Sequence, residues 1–411
     1  LSVATGTLDA GTAVTVANLG TLLLATDQTV QSLALAGTLG GAGALNATAG
    51  ATLQAGGQAN ARLAGPLLTV TGNSTLAAAA AAGTVNINAG TLTLAAANLL
   101  DDTAAVTVAS GAGLALGGND SIGTLVTAGT VSGSAHTLQA GTTTLQTGAT
   151  VSAQLGTGSL TSEGNATLGG TSAASTVQVS GGVLTLGSAG RLAGTAAVTV
   201  DNGATLQLGG TETVASLSLA GTLGGTGQTL NATTTTLQTG ALVTANLGAG
   251  SLVVTGNAQL SGSTQATAVD VQAGTLTLGA ASRLAAEPSL QLGGQITLGG
   301  DETVAWLQGS GTVALGAHTL STNAAASTVF DGSSTGTGTL AKVGNGTSLT
   351  LTGALAHTGL TTVSGGTLVL VGDERLHNSS RVNVATGALL QLGGTETVAE
   401  LTLGGTLGGT G

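Results

Sequence analysis

The sequence predicts an all-β fold, a right-handed parallel β-helix (β-solenoid), and three observations lead there. The first is a long repeat: TLGGAG at 38–43 returns as TLGGTG at 222–227 and at 406–411, and GTLTL at 90–94 returns as VLTL, GTLTL and GTLVL at 183–186, 274–278 and 366–370, with a period of 92 residues. The second is short-range alternation of apolar and small polar residues, in runs of four to six between Gly, Asn and Asp. The third is a composition with 72 Gly and only Trp306 and Phe330 as aromatics, which suits thin layers of Leu, Val and Ala better than a bulky globular core.

The repeat sets the organisation. TLQ begins at Thr52, Thr144 and Thr236, Gly-Asn recurs at 72/73, 164/165 and 256/257, and Arg-Leu recurs at 191/192, 283/284 and 375/376. Fixed-period units that each expose an apolar face bury it by stacking on their neighbours, so the array grows in one dimension. Residues 1–411 read as a single continuous β-solenoid of about four and a half 92-residue repeats, a segment of a longer array.

The strands follow from the alternation. In the block from Gly181, the runs VLTL, AVTV, TLQL and SLSL place Leu184 and Leu186, Val198 and Val200, Leu206 and Leu208, and Leu217 and Leu219 on one face, with Thr, Gln or Ser opposite. The turns lie too close together for helices. Dividing each block into about four coils of roughly 23 residues matches a common β-helix turn, and parallel crossovers favour the right hand. Ala77–Ala82 favours helix in isolation, yet it occupies the place of LGGTSAASTV in the next block and is expected to be a loop or flattened rung. Thr322–Gly338 is the least regular stretch and the expected protruding loop.

Composition narrows the function. Charged residues are 6 % of the chain against about 25 % in an ordinary domain. The net charge of −11 is spread thinly, with no Lys/Arg cluster or aromatic platform, so nucleic acid is not an expected partner and neither is direct membrane insertion. No cysteine is present, which removes disulfides and thiol chemistry.

A β-helix enzyme acting on polysaccharide is the rival class, and it needs acids converging on one groove. The acidic pairs Asp101/Asp102, Asp301/Glu302 and Asp373/Glu374 read as turn residues, and the recurring Glu212, Glu302 and Glu396 of the [TD]ETV motif as a solubility device, a block apart from one another. His136, His318, His357 and His377 read as surface or corner residues, since no HxH or HExxH spacing occurs; no metal, cofactor or catalytic residue is expected. Arg191, Arg283 and Arg375 read as exposed, with turn acids or an anionic glycan as alternative partners. Trp306 takes the Ser216 position of TVASL and is expected at a turn or facing outward. Sequons at Asn46, Asn73, Asn165, Asn231, Asn345 and Asn378 fit exposed turns. Ice binding needs Thr-x-Thr on every rung, whereas Thr91/Thr93 and Thr275/Thr277 recur by block.

The pieces KVGNGTSLTLTG, HTGLTTVSGGTLVL and VNVATGALLQLGG between 339 and 411 resemble the autotransporter-associated β-strand repeat of filamentous-haemagglutinin-like passenger regions in large secreted bacterial adhesins, and weaker copies cover nearly all the remaining chain. The resemblance implies a β-solenoid exported to the bacterial cell surface, serving as a stalk, adhesin or biofilm-matrix fibre. Its implied partners are other copies of the chain in a fibre, or a glycan or surface receptor.

Overall fold

The computed structural model describes residues 2, 3, 6–285, 287–323 and 326–409, and none of these is helical. Parallel strands stack as a β-solenoid of about 22 turns. The chain divides into two compact units: Leu1–Val198 with Ala204–Glu212, and Thr199–Gly203 with Thr213–Gly411.

In the first unit a coil carries three short strands. One coil contributes Leu67–Val70, Ser74–Leu76 and Ala80–Ala81, and the preceding one Ala51–Leu53, Gln58–Ala59 and Leu63–Ala64. Like strands pair in parallel, so the coil has three faces; the third is the weakest and is carried further along by single bridges such as Leu155↔Ser172 and Ser172↔Leu192. The alanine run is a flattened rung, with Ala80 and Ala81 paired to Leu63 and Ala64.

The register corrects the expected coil count. Along the first face Thr52 pairs with Thr69, Thr69 with Asn86, Asn86 with Thr107, Thr107 with Val126 and Val126 with Thr144, which closes one block in steps of 17, 17, 21, 19 and 18 residues. A block therefore holds five coils and not four. In the first unit coils shorter than the expected 23 residues suffice because the third-face strands Leu63–Ala64 and Ala80–Ala81 are only two residues long and two residues lead from each to the next coil.

The second unit repeats the arrangement. Its first face runs through Ser251–Val254, Ala268–Val271, Ser289–Leu292 and Trp306–Gly309, and its third through Glu302–Val304, Thr319–Thr322, Thr339–Lys342 and Leu360–Val363. The expected loop at 322–338 instead holds the strands Thr328–Phe330 and Ser333–Gly336; residues 324 and 325 lie outside the described residues. Phe330 is fully buried, in register with Gly309, and the missing side chain of Gly332 leaves room for its ring.

Inward branches stack coil over coil, as in the column Leu68, Val85, Val106 and Leu125, each at most 1 % exposed. Such side chains are worth about 1.5–3 kcal/mol each when fully buried. The inward set anticipated from alternation, Leu184 through Leu219, is buried throughout.

Candidate functional site

The recurring charged residues converge on one kind of turn. Asn98, Gly190, Ser282 and Glu374 follow one another at 92-residue intervals, and all four have left-handed backbone, with φ of 54°, 66°, 55° and 50°. Their N–H groups donate to the carbonyls of Asn119, Thr211, Asp301 and Thr395 one coil on. The next two N–H groups point the same way and form a small cationic concavity, a nest for an anion. A carboxylate of the same chain fills it. Glu212 accepts from the backbone N–H of Arg191 at 2.8 Å and of Leu192 at 3.1 Å, and Glu302 from Arg283 at 2.6 Å and Leu284 at 3.1 Å. Glu396 accepts from Arg375 and Leu376 at 2.6 and 3.0 Å.

The arginine side chains extend each clamp in the other direction. The guanidinium of Arg191 donates to the carbonyl of Gly169 at 2.8 Å, that of Arg283 to Ser261 at 2.9 Å and that of Arg375 to Thr352 at 2.6 Å. Each Arg-Leu and Glu set thus ties three successive coils through backbone atoms. Glu212 and Glu302 are not the expected surface solubility device, the first being wholly buried and the second nearly so, whereas Glu396 is half-buried. Burial raises the pKa of Glu212 and Glu302, opposed by the backbone N–H bonds and by the neighbouring arginine.

Two further members escaped the sequence reading. Asp120 stands 92 residues before Glu212 and accepts from Leu99 and Leu100 through Oδ2, at 2.8 and 3.4 Å. Its shorter side chain leaves the buried Oδ1 without a partner among the described residues, and burial raises its pKa. Gln28, a further 92 residues back, accepts from Leu8 at 2.7 Å with Oε1 and donates to the carbonyl of Gly6 with Nε2. The block period would have found both.

The acidic pairs serve turns and do not face a common groove. Asp101 accepts from the N–H and hydroxyl of Thr103, which lower its pKa. Asp301 accepts from Thr319 N–H at 2.8 Å while Glu302 faces the interior, and Asp373 accepts from Thr395 N–H at 2.7 Å. Among the described residues no group of three or more His, Cys, Asp or Glu is placed to hold a metal ion.

One histidine departs from its expected surface position. His357 is fully buried, its Nδ1 2.7 Å from the Ser334 hydroxyl and its Nε2 3.1 Å from the Thr361 hydroxyl. Burial lowers its pKa to about 4. The Ser-His spacing resembles that of a nucleophile and base, yet Ser334 is itself buried and faces the core. Lys342, in the same stretch, is also buried; its ammonium donates to the carbonyls of Gly344 and Gly365 and to the Thr347 hydroxyl, and burial lowers its pKa. His136 and His318 are half-buried and His377 is exposed.

On the second face shallow polar clefts open at one place per block. Asn73, Asn165 and Asn257 each accept, through Oδ1, from the backbone N–H of the next coil at 2.9–3.0 Å, and the clefts beside them measure about 340, 460 and 500 Å³. Sequons Asn73, Asn165, Asn345 and Asn378 are exposed, whereas Asn46 and Asn231 are half-buried. Threonines on this face do not recur by block alone: Thr130, Thr150, Thr167 and Thr185 stack on four successive coils before Gln207 ends the row. Trp306 faces outward, as expected, from a first-face strand.

No known protein family, curated protein or solved structure matches this chain.

Proposed function

We propose that the chain is an extracellular structural and adhesive β-solenoid, acting as a bacterial surface stalk or biofilm-matrix fibre, without enzymatic activity of its own. The observation that carries this reading is the use made of the recurring charged residues. Each Arg-Leu and Glu set of the 92-residue period is spent on joining coils. The outward positions are chiefly Thr, Ser, Asn and Gln, a surface suited to a hydrated exterior. The resemblance to adhesin passenger repeats supports the extracellular location.

Electron microscopy of the purified chain, with immunogold labelling of whole cells carrying the full reading frame, tests the proposal. Gold at the cell exterior with single thin rods favours a stalk. Ordered bundles or end-to-end filaments favour a fibre. Label confined to the cell interior, or hydrolysis of polysaccharide by the purified chain, overturns the reading.

A further inference from the structure

Trp306 sits on an outward row of the first face in the second unit, half-buried, beside Ser289 in strict parallel register. Two residues along the same strands Gln291 and Gln308 are paired. The next coil is aligned through Gly309 and Phe330, which puts Ser327 level with Trp306 and Val329 level with Gln308. Val329 is 47 % exposed. The register neighbours of Trp306 on either side, Ser289 and Ser327, are both small.

The polar groups of this patch are unspent. Among the described residues the indole N–H and the side-chain amides of Gln291 and Gln308 make no hydrogen bond, and Gln291 leans over Gly309, which has no side chain to displace it. The rows from Ser289 to Thr350 carry no charged side chain. Asp270, one coil before Gln291, borders the patch and is engaged by the Gln272 amide at 2.8 Å.

We infer that this patch is a binding platform for a neutral glycan, in which the outward, half-buried indole of Trp306 stacks on the apolar face of a pyranose ring and the amides of Gln291 and Gln308 bond its hydroxyls. An aromatic ring offers the C–H face of a sugar a large amphipathic surface. Primary amides supply both the donors and the acceptor that vicinal hydroxyls need. Neighbouring side chains of one strand stand about 7 Å apart on a face and those of adjacent strands about 5 Å apart, so the three groups fit within the footprint of one or two sugar rings. The neutral rows select against uronates and sulfated sugars. A platform of this kind would serve a stalk, a fibre or an enzyme alike, so it stands apart from the role proposed for the chain as a whole.

Trp306 is the sole tryptophan, so intrinsic fluorescence reports on this patch alone. The whole chain is titrated with cellopentaose, laminaripentaose, mannopentaose and xylopentaose, with polygalacturonate as the charged comparison. Saturable quenching or a blue shift with at least one neutral sugar is expected. Gln308→Ala is expected to weaken it roughly tenfold or more. Trp306→Ser, which restores the residue at the equivalent position 216, should abolish retention on the matching immobilised glycan while leaving the far-ultraviolet circular dichroism unchanged. No response to any neutral sugar, a preference for polygalacturonate, or retention that survives Trp306→Ser overturns the inference. So does a fluorescence change that follows protein dilution and not sugar, which would assign the patch to a second copy of the chain.

Discussion

Glu212 and Arg191 lie 21 residues apart in the chain, and the carboxylate of the first accepts the backbone N–H of the second at 2.8 Å. The side-chain charges are not what joins them, since the guanidinium turns away to the carbonyl of Gly169. Replacing Glu212 by Ala strands the buried N–H groups of Arg191 and Leu192, at a cost of about 2–4 kcal/mol. Glu212→Gln retains an acceptor, as Gln28 does in the first block, and is expected to cost less than half as much. Thermal melts and limited proteolysis of the two variants measure the difference; equal losses would mean that the acceptor is not what holds the turn.

The buried glutamates also set a pH response. Burial raises their folded-state pKa above the unfolded value of about 4.5, so the penalty is absent below that value and complete once pH has risen past the folded pKa. The stability of wild type relative to Glu212→Gln therefore rises as pH falls from neutrality toward 4.5. Melting midpoints of both proteins across this range test the sign.

His357 works in the opposite direction. Its pKa falls from 6.5 to about 4 in the folded chain, so its stabilising contribution is full above 6.5 and lost as pH drops through 4. The loss amounts to about 3 kcal/mol, at about 1.4 kcal/mol per pH unit. His357→Gln should remove this acid sensitivity while conceding some stability at neutral pH. A variant as acid-labile as wild type would show that another group governs the response.

Leu19 holds a left-handed backbone, φ 63°, and is 94 % exposed, where the matching turns of other blocks have Gly111, Gly203 and Gly387 at φ 77°, 81° and 83°. A side chain there meets its own carbonyl, a strain of about 1–2 kcal/mol. Leu19→Gly should raise stability by about 1 kcal/mol, read as an upward shift in Tm. A fall would point to an unrecognised contact of the leucine.

Leu206 and Gln207 separate the two sides of one strand. Leu206 is fully buried over Leu184, and Gln207 faces outward. Leu206→Asp buries an unpaired charge and should cost several kcal/mol, whereas Gln207→Asp should change stability by no more than about 0.5 kcal/mol. Similar melting curves for the pair would reverse the assigned faces.

That facing was legible because a two-residue alternation survives in strands such as Val183–Leu186 and Ala197–Val200. The coil count was not. Third-face strands of the first unit such as Gln154–Leu155 are too short to alternate, so that side of the coil leaves no periodic mark there. The clamp was half legible: in Glu212-Thr213-Val214 the alternation puts Glu212 on the same side as the buried Val214, and only the habit of placing acids in solvent hid it. His357 lies outside any strand, and nothing in AHTG announces that its ring turns inward.

The five unequal coils between Thr52 and Thr144 return to their starting register after 92 residues. Unequal crossover between two copies of the encoding DNA at these matching points would therefore delete or duplicate a full period and rejoin like to like. Such a gene can change the number of coils in its product in one recombination event, without passing through a misfolded intermediate length.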